Sequence, residues 1–297
     1  MKRALVLGGG GPIGIAWETA VTAGLLESGI DVREADLIVG TSAGSVVGAS
    51  LAHGQDPRDM LQQTRETRAV AAPRGPDRDM AEVAAVFQLW TSFEDMTEAA
   101  CKEVGAAAVT IQTVPEEQWL ATFANRWDGW PEKPFLVTAV DCGTGAFKVF
   151  DAHSHVPIER AVTASCTVPG IVPPVTIDGH RYMDGGVRSG TSADLAQRIE
   201  PQLVLILAPM GRREGGVDRL AAKQVAREMG ELERVGAKVH LVHFDDATKD
   251  VVGMNLMDPT RVPDVLETGL AQGRRLAADL REWWRHGERI DAARTAR

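Results

Sequence analysis

The architecture of this chain is set by residues 36–44, which read DLIVGTSAG. The run 36–39 ends at Gly40, as a strand buried on both faces does. A helix of small residues is predicted from Ser42 to about His53. A GxSxG sequence between a buried strand and a helix is typical of a nucleophile elbow, where the flanking glycines relieve crowding around a strained serine. Simple capping of the helix by Ser42 is the structural alternative.

A second glycine motif lies upstream of this one. Residues 4–7 predict a buried strand, residues 9–14 read GGGPIG, and residues 15–26 have helical spacing. Glycines at such a junction let backbone N–H groups approach a negative atom, and the helix N-terminus adds partial positive charge. The pattern fits an oxyanion hole, a tight turn, or a dinucleotide site with Glu34 or Asp36 on the ribose.

Strands and helices that alternate through short connections predict a parallel sheet covered on both faces. A hairpin is predicted through residues 143–145 and a β-turn-β piece through Asp178 and Gly179. The remaining strand patterns are 135–140, 147–150, 203–207 and 238–244, and the remaining helical patterns are 161–168, 219–234 and 262–286.

Residues 56–130 differ from the rest and predict an α-helical insertion, acting either as a lid over the site or as part of the core. Residues 70–78 predict a mobile loop between its helices. The predicted helices are 79–90, 94–104 and 116–127. Helical spacing favours a core position over a pocket lining for five aromatic residues, namely Trp90, Phe93, Trp119, Phe123 and Trp127.

We expect one domain over residues 1–297, with a core of about 3–210 and a C-terminal αβα extension over 211–290. The last residues, 291–297, are expected to fray.

The composition excludes several classes of protein. Of 297 residues, 44% are hydrophobic and 25% charged, which is typical of a globular protein. Lys and Arg number 32 against 41 Asp and Glu, so a net charge of −9 gives no overall attraction to nucleic acid. Three scattered cysteines predict neither a disulfide scaffold nor CxxC chemistry. No metal site and no other cofactor is predicted.

The hydropathy pattern predicts a cytoplasmic protein. No segment approaches the roughly 18–20 apolar residues of a membrane span. The glycines at 8–11 interrupt the apolar run that a signal peptide needs. The expected membrane role is therefore transient surface contact, while the oligomeric state is left open.

A serine nucleophile needs a base, and the residues alone leave its identity open. His240 and His243 lie in a strand pattern, and His286 lies near the end of a terminal helix. Asp184 ends a short strand and precedes two glycines, whereas Asp141 follows the 135–140 strand. A Ser-His-Asp triad and a carboxylate base are both compatible with this distribution.

Taken together, the motifs resemble those of the patatin-like phospholipases. The resemblance covers roughly residues 3–210 in order and spacing. It implies a three-layer α/β/α sandwich with a mostly parallel central sheet and a helical insertion. The segments that carry it are 9–14, 40–44, 184–186, and ASCTVPG at 164–170 followed by two prolines at 173–174.

The resemblance also implies roles for individual residues. Ser42 would be the nucleophile and Asp184 its sole base, with no histidine. The oxyanion donors would be Gly10 and Gly11 with Gly9, joined by Ala43. The supporting glycines of the motifs would be Gly14, Gly40, Gly44, Gly185 and Gly186. The implied activity is cofactor-free hydrolysis of lipid-like esters by a phospholipase A, a lysophospholipase or a general acyl hydrolase.

One position departs from the family pattern. Members of the family often carry a basic residue where this chain has Ile13, so an uncharged ester or a lysolipid is favoured over a phospholipid head group. Three rival functions are retained. They are a dinucleotide-binding protein using Gly9, Gly11 and Gly14, a non-catalytic lipid-binding protein, and a triad hydrolase using His240 or His243.

Overall fold

The computed structural model describes residues 1–66, 80–211, 215–253 and 255–287. Its centre is an eight-stranded sheet. The strands are β1 Arg3–Leu7, β2 Leu37–Gly40, β3 Phe135–Asp141, β4 Phe147–Phe150, β5 Val175–Ile177, β6 His180–Asp184, β7 Leu203–Leu207 and β8 Lys238–Val242. The order across the sheet is β5-β6-β3-β2-β1-β7-β8, and β4 pairs with β3.

Ten α-helices are present among the described residues. They are α1 Gly11–Glu27, α2 Ala43–Ala52, α3 Pro57–Glu66, α4 Met80–Ser92, α5 Glu98–Ala108, α6 Glu116–Leu120, α7 Ile158–Ser165, α8 Gly216–Arg234, α9 Asp246–Val252 and α10 Val262–His286. Within that part of the chain, no helix is both long and apolar enough to cross a membrane.

The strands that carry the two glycine motifs lie side by side. β1 pairs in parallel with β2 on one side and with β7 on the other, and Leu7 is level with Gly40 and Leu207. The carboxyl ends of all three strands therefore meet at one edge of the sheet. Open parallel sheets bind their ligands in the crevice at this edge.

Alternate residues of β1 enter different apolar clusters, which shows that both faces of the sheet are covered. Leu5 and Leu7 pack in the cluster that includes residues of α1, α2 and α10. Ala4 and Val6 pack in the cluster that includes Val225 of α8. The molecule is thus a three-layer α/β/α sandwich with a mostly parallel sheet, as predicted.

Helix α10 lies flush on α1 because glycines remove the side chains at their contact. A Cβ on Gly24 would overlap the carbonyl oxygen of Leu270, and a Cβ on Gly273 would overlap that of Val21. Trp17, which is fully buried, donates from Nε1 to Gln272 Oε1 at 2.8 Å. This contact fixes the position of the helix that follows the first glycine motif.

The predicted hairpins are confirmed. β3 and β4 pair antiparallel, as do β5 and β6. The turn between β5 and β6 places Asp178 at φ 50° and Gly179 at φ 80°, the left-handed conformations of a two-residue hairpin loop.

The helical insertion is only partly as predicted. The helix predicted over 116–127 is wrong, because α6 ends at Leu120 and the chain continues in turns. Asn125 at φ 56° cannot continue a helix, so the aromatic spacing reflects burial and not helical periodicity. The helix predicted over 94–104 starts later, since the Thr97 side chain caps α5.

Two helices were not predicted as separate elements. These are α3 and α9. The loop at 70–78 and the frayed end at 291–297 lie outside the described residues.

Candidate active site

Ser42 occupies a strained turn between β2 and α2. Its backbone has φ 53° and ψ −118°, which L-residues rarely adopt and which is the signature of a nucleophile elbow. The Ser42 N–H donates to Ser165 Oγ at 2.9 Å, and the Ser42 carbonyl accepts from Ser45 Oγ at 2.6 Å. These bonds hold the strained residue from both sides.

The flanking glycines are required by close backbone approach. A Cβ on Gly40 would lie 2.6 Å from the carbonyl oxygen of Gly44, and a Cβ on Gly44 would overlap the carbonyl of Leu7. Ser42 stands at the cap position of α2, yet its side chain makes no capping hydrogen bond. The capping alternative therefore does not describe this serine.

Asp184 is brought to Ser42 by the antiparallel pairing of β6 with β3. It is level with Ala139 in the middle of the sheet and only 4% exposed. Its Oδ1 accepts the Gly186 N–H at 2.7 Å. Burial raises the pKa of Asp184 to about 7, although hydrogen bonds from the Ser42 side chain and from Gly186 oppose that rise. A carboxyl with such a pKa exchanges protons readily near neutral pH.

The backbone after Asp184 is packed tightly against β3. A Cβ on Gly185 would overlap the hydroxyl of Thr138, so only glycine fits there. The Thr138 hydroxyl also hydrogen-bonds the hydroxyl of Thr41 at 2.8 Å. The strand end that carries Asp184 is thereby linked to the residue preceding Ser42.

Three backbone N–H groups beside Ser42 are available to a ligand, two from the glycine loop and one from the start of α2. Gly11 begins α1 and Ala43 begins α2, where N–H groups have no intrahelical acceptor. The N–H groups of Gly10, Gly11 and Ala43 have no acceptor among the described residues. Two helix N-termini thus converge beside Ser42, where their partial positive charge favours an anion.

Gly9 differs from its neighbours, because its N–H already donates to the Gly190 carbonyl at 2.8 Å. This geometry does not support the predicted role of Gly9 as an oxyanion donor. A Cβ on Gly9 would lie 3.4 Å from Ser42 Cβ, and a Cβ on Gly10 would lie 2.7 Å from Pro209 Cβ. Gly14 serves close packing, since a Cβ there would lie 3.0 Å from Ala43 Cβ.

A largely apolar cleft of about 510 Å³ opens above this constellation. Its base contains the glycine loop, Ser42 and Asp184. One wall is formed by five residues of α4, namely Met80, Val83, Ala84, Phe87 and Trp90. A side pocket of about 40 Å³ also starts at Ser42 and is lined by Trp119, Phe123 and Cys166 among others. The volume of the cleft is that of a site for a small organic ligand.

A model of the patatin-like phospholipase family matches residues 5–196 of this chain, about two thirds of it. The chain belongs to the patatin-like phospholipase family. It is 28% identical over 207 residues to patatin-like phospholipase domain-containing protein 6 of Homo sapiens, covering 69% of this chain and 13% of that protein. It is 28% identical over 182 residues to lysophospholipase nte1 of Aspergillus oryzae, covering 61% of this chain and 10% of that protein.

This chain thus spans only 10–13% of the length of those two curated relatives. Among solved structures, VipD from Legionella pneumophila superimposes with a TM-score of 0.44 at 13% sequence identity, covering 93% of this chain and 66% of VipD.

The family's distinctive segment at 164–170 has a structural role that the sequence did not reveal. Ser165 accepts the Ser42 N–H, and the Cys166 thiol donates to the Ser42 carbonyl at 3.3 Å. The resemblance singled out this segment, but neither residue had been assigned a function. Both hold the backbone of the elbow, and Cys166 also lines the side pocket.

Ile13 stands where the resemblance led us to look for a basic residue. Its side chain is fully buried in the apolar core and does not line the cleft or the side pocket. The core around this position suits an apolar side chain, since an unpaired charge there would be costly.

Asp141, the rival carboxylate, is committed to the β3–β4 hairpin. Its Oδ1 accepts the N–H groups of Gly143 and Thr144, and its Oδ2 contacts His180 Nδ1 at 2.7 Å. Burial raises the pKa of Asp141, but the hydrogen bonds together lower it more, so the pKa lies below its ordinary value. Asp141 does not line the cleft.

The two candidate histidines are also engaged elsewhere. His240 packs on the Trp283 ring at 5.7 Å, and burial lowers its pKa to about 4. His243 Nδ1 is bonded to the Ala208 carbonyl at 2.8 Å. Neither histidine is among the residues that line the cleft. The geometry therefore gives no support to a Ser-His-Asp triad.

The carboxylates that a dinucleotide site would use, Glu34 and Asp36, lie at the opposite edge of the sheet from the glycine loop. Glu34 pairs with Arg3 at 2.9 Å, and Asp36 Oδ2 accepts the Arg3 N–H at 2.7 Å. Arg3 begins β1 and the glycines follow its end, about 16 Å away along the strand. These carboxylates cannot bind the ribose of a nucleotide whose pyrophosphate sits on the glycine loop.

The five aromatic residues of the insertion were expected in the core, and three of them also line the cleft or the side pocket. Trp90, Trp119 and Phe123 are buried, yet the first lines the cleft and the other two line the side pocket. Trp127 is a core residue and donates to Ser50 Oγ at 3.2 Å. Phe93 is half-buried against the cluster that contains Trp90. Helix α4 is therefore a cleft wall and part of the core at once.

No group of His, Cys, Asp and Glu side chains in the described part of the chain has the arrangement of a metal site. The three cysteines are all free.

Proposed function

We propose that this protein is a serine acyl hydrolase that cleaves lipid-like carboxylic esters through an acyl-enzyme on Ser42. The observation that carries the proposal is the Asp184 carboxyl facing the Ser42 hydroxyl at the base of a largely apolar cleft. Membership of the patatin-like phospholipase family supports a lipid substrate.

In the acylation step, Asp184 accepts the Ser42 hydroxyl proton as Oγ attacks the ester carbonyl carbon. The oxygen of the tetrahedral intermediate becomes negative and faces the N–H groups of Gly10, Gly11 and Ala43. Loss of one such donor typically lowers the rate about 10²- to 10³-fold. The intermediate then collapses, and Asp184 returns the proton to the leaving alcohol.

In the deacylation step, Asp184 takes a proton from water, and the resulting hydroxide attacks the acyl-enzyme carbonyl. Collapse of the second intermediate releases the carboxylic acid and restores the Ser42 hydroxyl. One carboxyl therefore serves as base and as acid, which requires a pKa near the working pH. The pKa of about 7 that burial gives Asp184 meets this requirement. The mechanism needs no cofactor.

We assign the acyl chain to the cleft, whose walls are mostly hydrocarbon. The names of the relatives include both phospholipase and lysophospholipase. Phospholipase A, lysophospholipase and general acyl hydrolase activity are the candidate reactions for this chain. Its scattered free cysteines agree with a cytoplasmic location. Such a protein would meet a lipid substrate by transient contact with a membrane surface.

The test is hydrolysis of p-nitrophenyl esters of graded chain length by the wild type, Ser42→Ala and Asp184→Asn. Both variants should lose roughly 10³-fold or more in kcat, with circular dichroism unchanged. Retained activity in Asp184→Asn would move the base to another residue, and His240→Ala and His243→Ala would identify a histidine. A wild type that binds lipid vesicles but hydrolyses no ester would favour a lipid-binding protein.

A further inference from the structure

Glu228 on α8 is a buried carboxyl that the proposed mechanism does not use. It is 5% exposed and receives three hydrogen bonds. The Ser189 hydroxyl donates to Oε1 at 2.6 Å, while the Thr191 hydroxyl and the Ala193 N–H donate to Oε2 at 2.6 and 2.8 Å. All three donors belong to the segment that follows Asp184.

The direction of these bonds is fixed by a second set. Ser189 Oγ accepts the N–H of Ser192 at 2.9 Å and the N–H of Thr191 at 3.3 Å, so its own proton is committed to Glu228. The site therefore needs a side chain whose two oxygens both accept. The charged groups that line the same cavity are Asp95, Arg188, Asp194, Lys223, Arg227 and Glu231.

The bonds to Glu228 hold the segment on either side of Gly190. The Gly190 carbonyl is the acceptor of the Gly9 N–H at 2.8 Å. Gln224, one turn before Glu228 on α8, accepts the Gly190 N–H at 3.4 Å and donates to the Arg188 carbonyl at 2.7 Å. One face of α8 thus fixes the carbonyl that holds the glycine loop.

We propose that Glu228 is a positioning residue that sets the placement of the oxyanion donors through Gly190 and Gly9. The inference rests on the proposed function. Gly9 immediately precedes the donors Gly10 and Gly11 and packs against Ser42. A shift of Gly190 therefore moves the donors relative to the nucleophile without changing the apolar walls that bind the substrate.

The test is Glu228→Gln, which keeps the shape and one acceptor oxygen but turns the other oxygen into an NH₂ group, which donates and cannot accept, so at least one of the three donors loses its partner. Displacement of catalytic groups by about 1 Å can cost about 100-fold in rate. We expect kcat on a p-nitrophenyl ester to fall about 10- to 100-fold, with KM changed by less than about 2-fold.

Two comparisons separate positioning from general loss of structure. Glu231→Gln lies on the same helix and removes an ion pair with Arg227, so kcat should stay at the wild-type value. Thr191→Val, which deletes one donor to Glu228, should lower kcat, and Thr191→Ser should restore it. Thr191→Val and Glu228→Gln break the same link. The loss in kcat of the double variant should therefore be clearly smaller than the product of the two single losses.

Thermal unfolding of each variant is measured beside the kinetics. Unchanged kcat in Glu228→Gln would overturn the inference, and so would a loss explained by a raised KM or by partial unfolding. Fully multiplicative effects of the two substitutions would also overturn it. A wild type without esterase activity would overturn the proposed function itself, and the positioning role with it.

Discussion

The burial of Asp184 predicts how ester hydrolysis responds to pH. Its carboxyl is 4% exposed, and burial raises its pKa to about 7. The base must be ionised to accept the Ser42 proton, so kcat/KM should rise with pH through about 7 and level off above it. The raised value places the loss of activity on the acidic side of neutrality.

The magnitude follows from the ionised fraction. At pH 5, two units below a pKa of about 7, about 1% of Asp184 is ionised. A carboxyl with the ordinary value of 3.8 would be about 94% ionised at that pH. We therefore expect kcat/KM at pH 5 to lie at least about 100-fold below its plateau, whereas an unperturbed base would leave it almost unchanged.

The assay is kcat/KM for p-nitrophenyl butyrate between pH 5 and 9, with product read after an alkaline quench and folding checked at each pH. Burial, followed by the charge of Asp194, also raises the pKa of Glu228 to about 7. Protonation of Glu228 would add to the decline of the wild type at low pH, so the profile is repeated in Glu228→Gln, where the midpoint and the decline of about 100-fold due to Asp184 should persist. A profile that stays flat down to pH 5 in both proteins would refute the reasoning, because the base would then have an unperturbed pKa.

Two further predictions concern the cleft wall and a buried acid. Ala84 is exposed on α4 and lines the cleft, so the larger side chain of Ala84→Trp should exclude about four methylenes of a long acyl chain. The value of kcat/KM should fall about 100-fold for long-chain esters and stay unchanged for short-chain esters. Ala85→Trp, exposed but off the cleft, should keep the wild-type chain-length profile, and equal effects of both substitutions would contradict the assignment of the acyl site. Burial raises the pKa of Glu18 well above its ordinary value of 4.5, and the Gly8 N–H, already bonded to Leu207, offsets this only in part. The contribution of Glu18 to the free energy of unfolding should therefore decline as the pH rises above 4.5. Relative to the wild type, the free energy of unfolding of Glu18→Gln should increase by up to about 1.4 kcal/mol for each pH unit above 4.5. Urea unfolding at pH 4 and 8 measures this, with exposed Glu103→Gln as control, and an equal difference at both pH values would contradict it.

The sequence was sufficient to predict the sheet and the dyad candidates. β1, β2 and β7 are buried on both faces, so they read as uninterrupted apolar runs, and Gly8 and Gly40 mark where β1 and β2 end. The elbow at Ser42 is a local structure, and its strand-turn-helix context is visible in residues 36–44. Such features depend on neighbours in the sequence.

The choice between Asp141 and Asp184 depended on contacts between distant segments. The register of β6 on β3 places Asp184 opposite Ala139, whereas Asp141 reaches the hairpin turn and is held there by two backbone N–H groups. No local pattern encodes that register. The resemblance to a family made the choice that propensity and spacing left open.

The other differences from the sequence analysis have the same origin. Gly9 was assigned with its neighbours, but its N–H is taken by Gly190, which lies about 180 residues further along the chain. The aromatic residues of 116–127 suggested a continuous helix. Trp119 and Phe123 instead pack on each other, whereas Trp127 is buried against Ser50, and Asn125 turns the chain before Trp127.

The glycine contact between α1 and α10 limits how this fold can be divided. The region that matches the family ends at residue 196, before α8 and α10. A fragment cut there would expose Trp17 and the bare backbone of α1 around Gly24, both covered by α10 in the whole chain. A transplant between relatives should therefore move α1 and α10 together, since backbone meets backbone at Gly24 and Gly273 and cannot adapt to a foreign partner.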